Sequence, residues 1–223
     1  MKSVLISIQP KWCELIANGK KTVEVRKTRP KLETPFKVYI YCTKGEALAL
    51  PCLNNPHYTI HRMNNGTPNG RKMTAEERER SDHQFANGKV IGEFVCDRID
   101  RIAKRGIHSN FDYCYCSLNV FGNDNIAIEI TDIENSCIPQ EELNSYGFYS
   151  HCLYAWHISH LVIYDKPKEL SHFLQYCEYD YDIDKCIGCK KTSYNDLGQE
   201  CCDRRITRPP QSWCYVEGGG SDA

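Results

Sequence analysis

Apolar and polar positions alternate with the period of a β-strand in several stretches of the chain. VLISI at 4 to 8 is a short continuous apolar run and predicts a strand buried on both faces. KVYIYCTK at 37 to 44, KVIGEFVCDRI at 89 to 99 and IAIEITDIENSCI at 126 to 138 alternate as strands do. LYAWHISHLVIY at 153 to 164 is the longest such signal, with Ala155, His157 and Ser159 on one face and Tyr154, Trp156, Ile158 and His160 on the other. Register slips near Gly92, which predicts a bulge that re-aims Glu93. Helical patterns are shorter. PKWCELIANGKKT begins with Pro10 in its first turn and stops at Gly19. TAEERERSDHQF at 74 to 85 opens on a Thr74 and Glu77 capping box, PQEELNSYG at 139 to 147 stops at Gly147, and DKPKELSHF at 165 to 173 repeats the Pro-then-helix pattern. Strands with a few short helices around them predict an α+β fold.

Between the third strand and residue 88 the chain leaves this pattern. Residues 45 to 70 are crowded with Gly, Pro and Asn, so 45–88 reads as an excursion that carries the short helix, and 106–125 as a second one. His57, Tyr58, His61 and Arg62 in the first could meet a base, or simply decorate a surface loop.

The stretch with the densest chemistry is GKKTVEVR at 19 to 26. Val23 and Val25 alternate with Thr22, Glu24 and Arg26, which predicts a strand with one buried and one displayed face. Glu24 and Arg26 then project from one side, and Lys21 stands just before them at the exit of the Gly19 turn. Alone, such a segment is more often an ordinary strand with a solvated ion pair. Charge changes the balance. The whole chain is nearly neutral at -1, but residues 1 to 44 hold ten Lys and Arg against three Asp and Glu, a local patch suited to phosphate.

Strand, short helix, Gly-x-Lys-x-x-Glu-x-Arg, strand, and a later strand opening with Gly92 and Glu93 resemble the ASCH family of PUA-like proteins. The residues that carry the resemblance are Gly19, Lys21, Glu24 and Arg26. It implies a small PUA-like β-barrel with a mixed or antiparallel sheet, and a cleft that receives RNA, a nucleotide or a nucleoside. The binding set is Lys21, Glu24 and Arg26, with Lys20 and Trp12 beside them. Lys21 and Arg26 would meet phosphate or a base edge, and Glu24 would accept from a base amino group. Some ASCH-like proteins are amidohydrolases acting on N-acylated cytidine through a Lys, a Thr and a Glu, and others are ribonucleases. In that reading Lys21, Glu24 and Glu93 are the catalytic candidates. Glu24 occupies the place of the hydroxyl nucleophile, and Thr22, two positions off, is the nearest hydroxyl. A third reading is a phage-type protein that sequesters a nucleotide without turnover.

Composition shifts at about residue 177. Cys177, Cys186, Cys189, Cys201, Cys202 and Cys214 fall in the next stretch with few aliphatic residues, so its order needs another source. Cys186 and Cys189 form a Cys-x-x-Cys knuckle, and with Cys202 and Cys214 they would hold a structural zinc, Cys201 and Cys177 being alternates. A reduced tail or a redox pair is the competing reading. RPPQSWCYVE at 208 to 217 is a stiff strip with two large aromatics, of the kind that packs back on a barrel, and this tail resembles those of phage and Firmicutes ASCH-like proteins. The expected organisation is a domain over 1–176, a Cys-rich tail over 177–217, and a flexible tail or cloning remnant over 218–223. No apolar run of membrane-spanning length and no secretory layout is present, so the expected setting is cytoplasmic with no membrane partner.

Overall fold

The computed structural model describes residues 1–44, 86–107, 110–115, 131–148, 150, 152–180, 185–187, 192–194, 200–202 and 204–218. The 45–70 excursion with His57, Tyr58, His61 and Arg62, and the helix expected at 74–85, lie outside them. Among the described residues no helix is long and apolar enough to cross a membrane. The chain divides into two compact units, the first from residues 1–10, 37–93 and 163–223, the second from 11–36 and 94–162. Strands in both parallel and antiparallel pairing, with few and short helices, give the α+β arrangement expected.

In the first unit, β1 (Lys2–Ile8) is buried from Ser3 onward. It lies parallel to β3 (Phe36–Cys42), with Val4 opposite Val38 and Ile6 opposite Ile40. Apolar residues on both faces are what a central strand requires, and VLISI supplies them. On its other edge β1 pairs antiparallel with β11 (Trp213–Glu217), Leu5 opposite Cys214. The strip at 208–217 therefore completes this sheet with its own strand. Leu5, Tyr39, Tyr41, Val90, Leu170, Phe173, Ile206 and Val216 form the unit's core, with Tyr164 and Cys214 packed against it. Between the 3-10 turn at Leu170–His172 and β11 stand two small hairpins. One pairs β7 (Glu178–Asp180) with β8 (Lys185–Ile187), the other β9 (Thr192–Tyr194) with β10 (Glu200–Cys202).

The second unit is built on α1 (Pro10–Ala17) and β2 (Val23–Arg26), with β2 antiparallel to β6 (Cys152–Lys168). Val23, Val25, Ile102, Leu143, Leu153 and Ala155 make its core. The long strand β4 (Val90–Ile107) turns back at residue 107 into β5 (Asn110–Tyr115), Ile107 opposite Asn110. Within the stretch expected as a second excursion, residues 106, 107 and 110–115 are paired strand. Two helices, α2 (Thr131–Ser136) and α3 (Gln140–Tyr146), follow; α3 is the helix expected before Gly147.

The strand expected over 126–138 is corrected at its second half, which is α2. Thr, Asp and Glu in TDIENS are helix-starting residue types, and they outweigh the alternation that precedes them. The helix expected at 165–173 is also corrected. β6 runs on through Pro167 to Lys168, and only the 3-10 turn follows. Proline fits the end of a strand, where no ladder donor is needed.

Candidate ligand site at the head of the second strand

The local chain path explains how three charged side chains come to point inward. α1 ends at Ala17, and Gly19 takes a φ of +70°, the left-handed conformation that favours glycine past a helix end. The backbone N–H groups of Lys20 and Lys21 then donate to the Leu15 carbonyl at 2.9 and 3.0 Å. This reversal turns Lys21 under the helix. The Thr22 N–H bonds the Asn135 carbonyl at 3.0 Å, and the Thr22 carbonyl accepts from Ile158 at 2.9 Å, which starts β2.

The face expected to be displayed is buried. All four residues of β2 are buried, and the side chains of Lys21, Glu24 and Arg26 are 0 %, 7 % and 10 % exposed. The reason is β6, which places Trp156 opposite Glu24 and Tyr154 opposite Arg26. Both Ala155 and Trp156 are fully buried, so β6 is covered on its two faces as well. Alternation told the faces apart but not that both would be covered.

Lys21 Nζ donates to the Ser136 carbonyl at 2.5 Å and lies 3.4 Å from Glu24 Oε2. Ser136 is the last residue of α2, so the ammonium supplies a donor where helix carbonyls lack partners. An Arg26 guanidinium nitrogen sits 3.0 Å from Glu24 Oε1. Glu24 therefore stands between two cations, and its buried Oε2 faces the Lys21 ammonium at 3.4 Å, longer than a well-formed hydrogen bond. Burial pushes the Lys21 ammonium below the ordinary lysine range, and Glu24 opposes that shift. The Trp12 ring lies 5.1 Å from Lys21 Nζ, within cation–π range. Tyr146, at the end of α3, has its phenol held above the ordinary range by burial, against the pull of Arg26, and carries the Lys27 ammonium 4.9 Å over its ring.

The expected binding residues thus meet in part. Lys21, Glu24 and Arg26 form one cluster, Trp12 edges it half-buried, and Lys20 is exposed beyond it. Thr22 is exposed while Lys21 and Glu24 are buried, so it does not share their face as alternation suggested. Glu93 belongs to the first unit, and both of its carboxylate oxygens are engaged there, by Lys37 at 2.7 Å and by the Tyr164 hydroxyl at 2.6 Å. Ser136, Tyr146 and Trp156 are the members that sequence reading did not assign to the site. A buried aromatic opposite Glu24 is written in the 153–164 strand, but its register with β2 is not.

Of the cysteines expected to hold zinc, Cys189 lies outside the described residues, and the side chains of Cys186, Cys201 and Cys202 are not described. Cys214 packs against the core cluster around Leu5, where burial pushes its thiol up to about 11. That environment resists the thiolate a metal needs. Cys177, the alternate, has its thiol 3.8 Å from the Glu178 carbonyl. Among the described residues no group of three or more His, Cys, Asp or Glu is arranged to hold a metal.

Comparison with known proteins adds one family. The chain is similar to an ASCH protein from Zymomonas mobilis, known from a crystal structure, at 13% identity over 96% of this chain and 87% of that one, with a TM-score of 0.43. Two single-substitution variants of that protein, a Tyr-to-Phe and a Ser-to-Ala form, are similar at 12% and 14% identity, covering 97% and 96% of this chain and 91% and 88% of theirs, each with a TM-score of 0.43. No curated protein matches. The family model described as ASCH domain matches residues 6–103, the stretch that holds Gly19, Lys21, Glu24 and Arg26.

Proposed function

We propose that the Lys21, Glu24 and Arg26 cluster binds an RNA or a nucleotide, with Glu24 reading an amino group of a base. The observation that supports this best is Glu24 Oε2, a buried carboxylate oxygen whose contact with the Lys21 ammonium, at 3.4 Å, is longer than a well-formed hydrogen bond. An acceptor satisfied only at that length has capacity left, and a ligand N–H would supply the shorter hydrogen bond. Lys21 and Arg26 hold the carboxylate in place. Trp12 and Tyr146 offer rings on which a base can stack, and Lys20 and Lys27, exposed and next in sequence to Lys21 and Arg26, add positive charge beside the cluster. The test is equilibrium binding to short RNAs and nucleotides, with Glu24→Gln as control. Binding that Glu24→Gln weakens tenfold or more supports the reading; equal binding by both proteins rejects it.

A second reading is hydrolysis of RNA or of an N-acylated nucleoside. It is favoured by Lys21, whose burial makes the unprotonated amine easier to reach near neutral pH than in an exposed lysine, with Glu24 beside it as proton partner. Mass analysis of each ligand after incubation separates the two, because only the hydrolase changes the mass. For the tail we propose a structural zinc drawn from Cys186, Cys189 and Cys202, with Cys201 or Cys177 completing the set more readily than the buried Cys214. It is supported by the two hairpins, whose strands β8 and β10 carry Cys186 and the Cys201–Cys202 pair. Native mass spectrometry should find one zinc per chain, and a metal-free protein with an unchanged melting temperature would remove the proposal.

A further inference from the structure

Lys21 has no exposed side-chain surface, so a ligand that reaches Glu24 has to enter past the groups that cover it. Trp12 is one of them, and its ring is already in use. The Lys11 ammonium lies 4.3 Å from the ring centroid, closer than Lys21 at 5.1 Å. Lys11 is in turn held by Glu142 of α3, at 2.6 Å, and both side chains of that pair are well exposed, at 44 % and 43 %. Two positive charges therefore share one indole, and the outer one is fixed by a carboxylate at the surface. A base that stacks on Trp12 has to move Lys11 first.

An exposed ion pair is a weak fastening. Its two charges are solvated and screened, so another anion competes for the ammonium on nearly equal terms. A phosphate carries more charge than a carboxylate and accepts from an ammonium through three oxygens, and so it outcompetes Glu142 for Lys11. We propose that Lys11 is the phosphate-reading residue of the site and that Glu142 holds its anion position when no ligand is bound. A ligand phosphate takes Lys11 from Glu142, lifts it from the indole, and leaves the Trp12 face open to the base that the phosphate belongs to. The site then prefers nucleotides and RNA over free nucleosides. The inference rests on the nucleotide reading given above for its base, but its phosphate half stands on Lys11, Trp12 and Glu142 alone.

Three probes test it: inorganic pyrophosphate, cytidine, and cytidine 5′-monophosphate. Each is titrated into the full chain while the indole N–H signal of Trp12, assigned with Trp12→Phe, is followed by NMR. Pyrophosphate is expected to shift the Trp12 signal in the unaltered protein, to do so at about threefold lower concentration in Glu142→Gln, and to leave it unmoved in Lys11→Met. Both substitutions are at exposed positions, so the fold is retained. The monophosphate should bind more tightly than cytidine, and that advantage should vanish in Lys11→Met, in which cytidine has no ammonium to displace from the indole and should bind no more weakly than to the unaltered protein. A Trp12 signal that pyrophosphate does not move, or moves equally in Lys11→Met, overturns the proposal. A Lys11-dependent pyrophosphate shift with no binding of cytidine or its monophosphate supports the anion position and sinks the base reading alone.

Discussion

Lys21 carries more at the residue scale than a ligand contact. Its ammonium is fully buried, joins Ser136 to Glu24, and sits where Arg26 adds a second positive charge across the same carboxylate. Removing one member of a buried ion cluster leaves the others desolvated and unbalanced, at a cost of about 3–5 kcal/mol. Lys21→Ala should therefore lower unfolding stability in urea by that order as well as weaken ligand binding. The double variant Lys21→Ala with Glu24→Gln should lose less than the sum of the two single changes, because the carboxylate no longer needs its cation. Additive losses would show that the two side chains do not interact. Acid sensitivity is set by other residues. Burial raises the Glu93 carboxyl, but Lys37 and Tyr164 together outweigh it and hold it below its ordinary 4.5. A hydrogen bond from His157, at 2.8 Å, and Arg98 hold Asp100 below its ordinary 3.8. Each carboxyl binds fewer protons folded than unfolded just under its ordinary value. The stability they give is thus complete above about pH 4.5 and is lost as pH falls through the lowered values. Glu93→Gln should flatten the acid limb of a stability profile below that pH, and an unchanged limb would exclude Glu93 as its source.

At the scale of elements, the site is a joint between the turn after α1 and the end of α2. Lys21 Nζ reaches the Ser136 carbonyl, the Thr22 N–H reaches Asn135, and the Cys137 thiol reaches the Lys20 carbonyl at 3.3 Å. The helix and stop before Lys21 were legible, because Pro10 and Gly19 punctuate them locally. The partner α2 was not, because its helix-starting residues follow an alternating run that reads as strand and hides where the helix begins. A different limit hid the burial of Glu24 and Arg26, which depends on the register of β2 with β6. α2 ends in a left-handed residue at Cys137, with φ 55°, a position usually given to glycine. A side chain there costs about 1–2 kcal/mol, and glycine returns about half of that to the unfolded chain as entropy. Cys137→Gly should stabilise the protein by up to about 1 kcal/mol in thermal or urea unfolding. A loss of stability instead would mean that the thiol's bond to Lys20 outweighs the backbone strain.

On the scale of the whole molecule, the first unit is assembled from three distant pieces of chain. Sequence patterns named its strands well, since VLISI and KVYIYCTK are each apolar enough to be recognised alone. What they could not say is that β1 takes β11 as its neighbour on the side away from β3. WCYVE looks like a docking strip because its aromatics are large, yet its contribution is a strand. Five residues pair with β1 from Lys2 to Ile6, Val216 enters the core with no exposed surface, and Ser7 accepts a further tie by donating its N–H to Ser212 and its hydroxyl to Pro210. Val216→Ala should cost about 2–3 kcal/mol, read as a melting temperature lower by roughly 5–10 °C. Ending the chain at residue 207 is more severe, because it removes that side chain together with the whole ladder and bares the backbone of a strand that is otherwise apolar on both faces. The combined loss approaches the total stability of an ordinary domain, so the shortened chain should lose its cooperative melting transition and associate through the exposed edge. A monomeric shortened protein that melts at the temperature of the full chain would show that β11 is an accessory strip rather than part of the sheet.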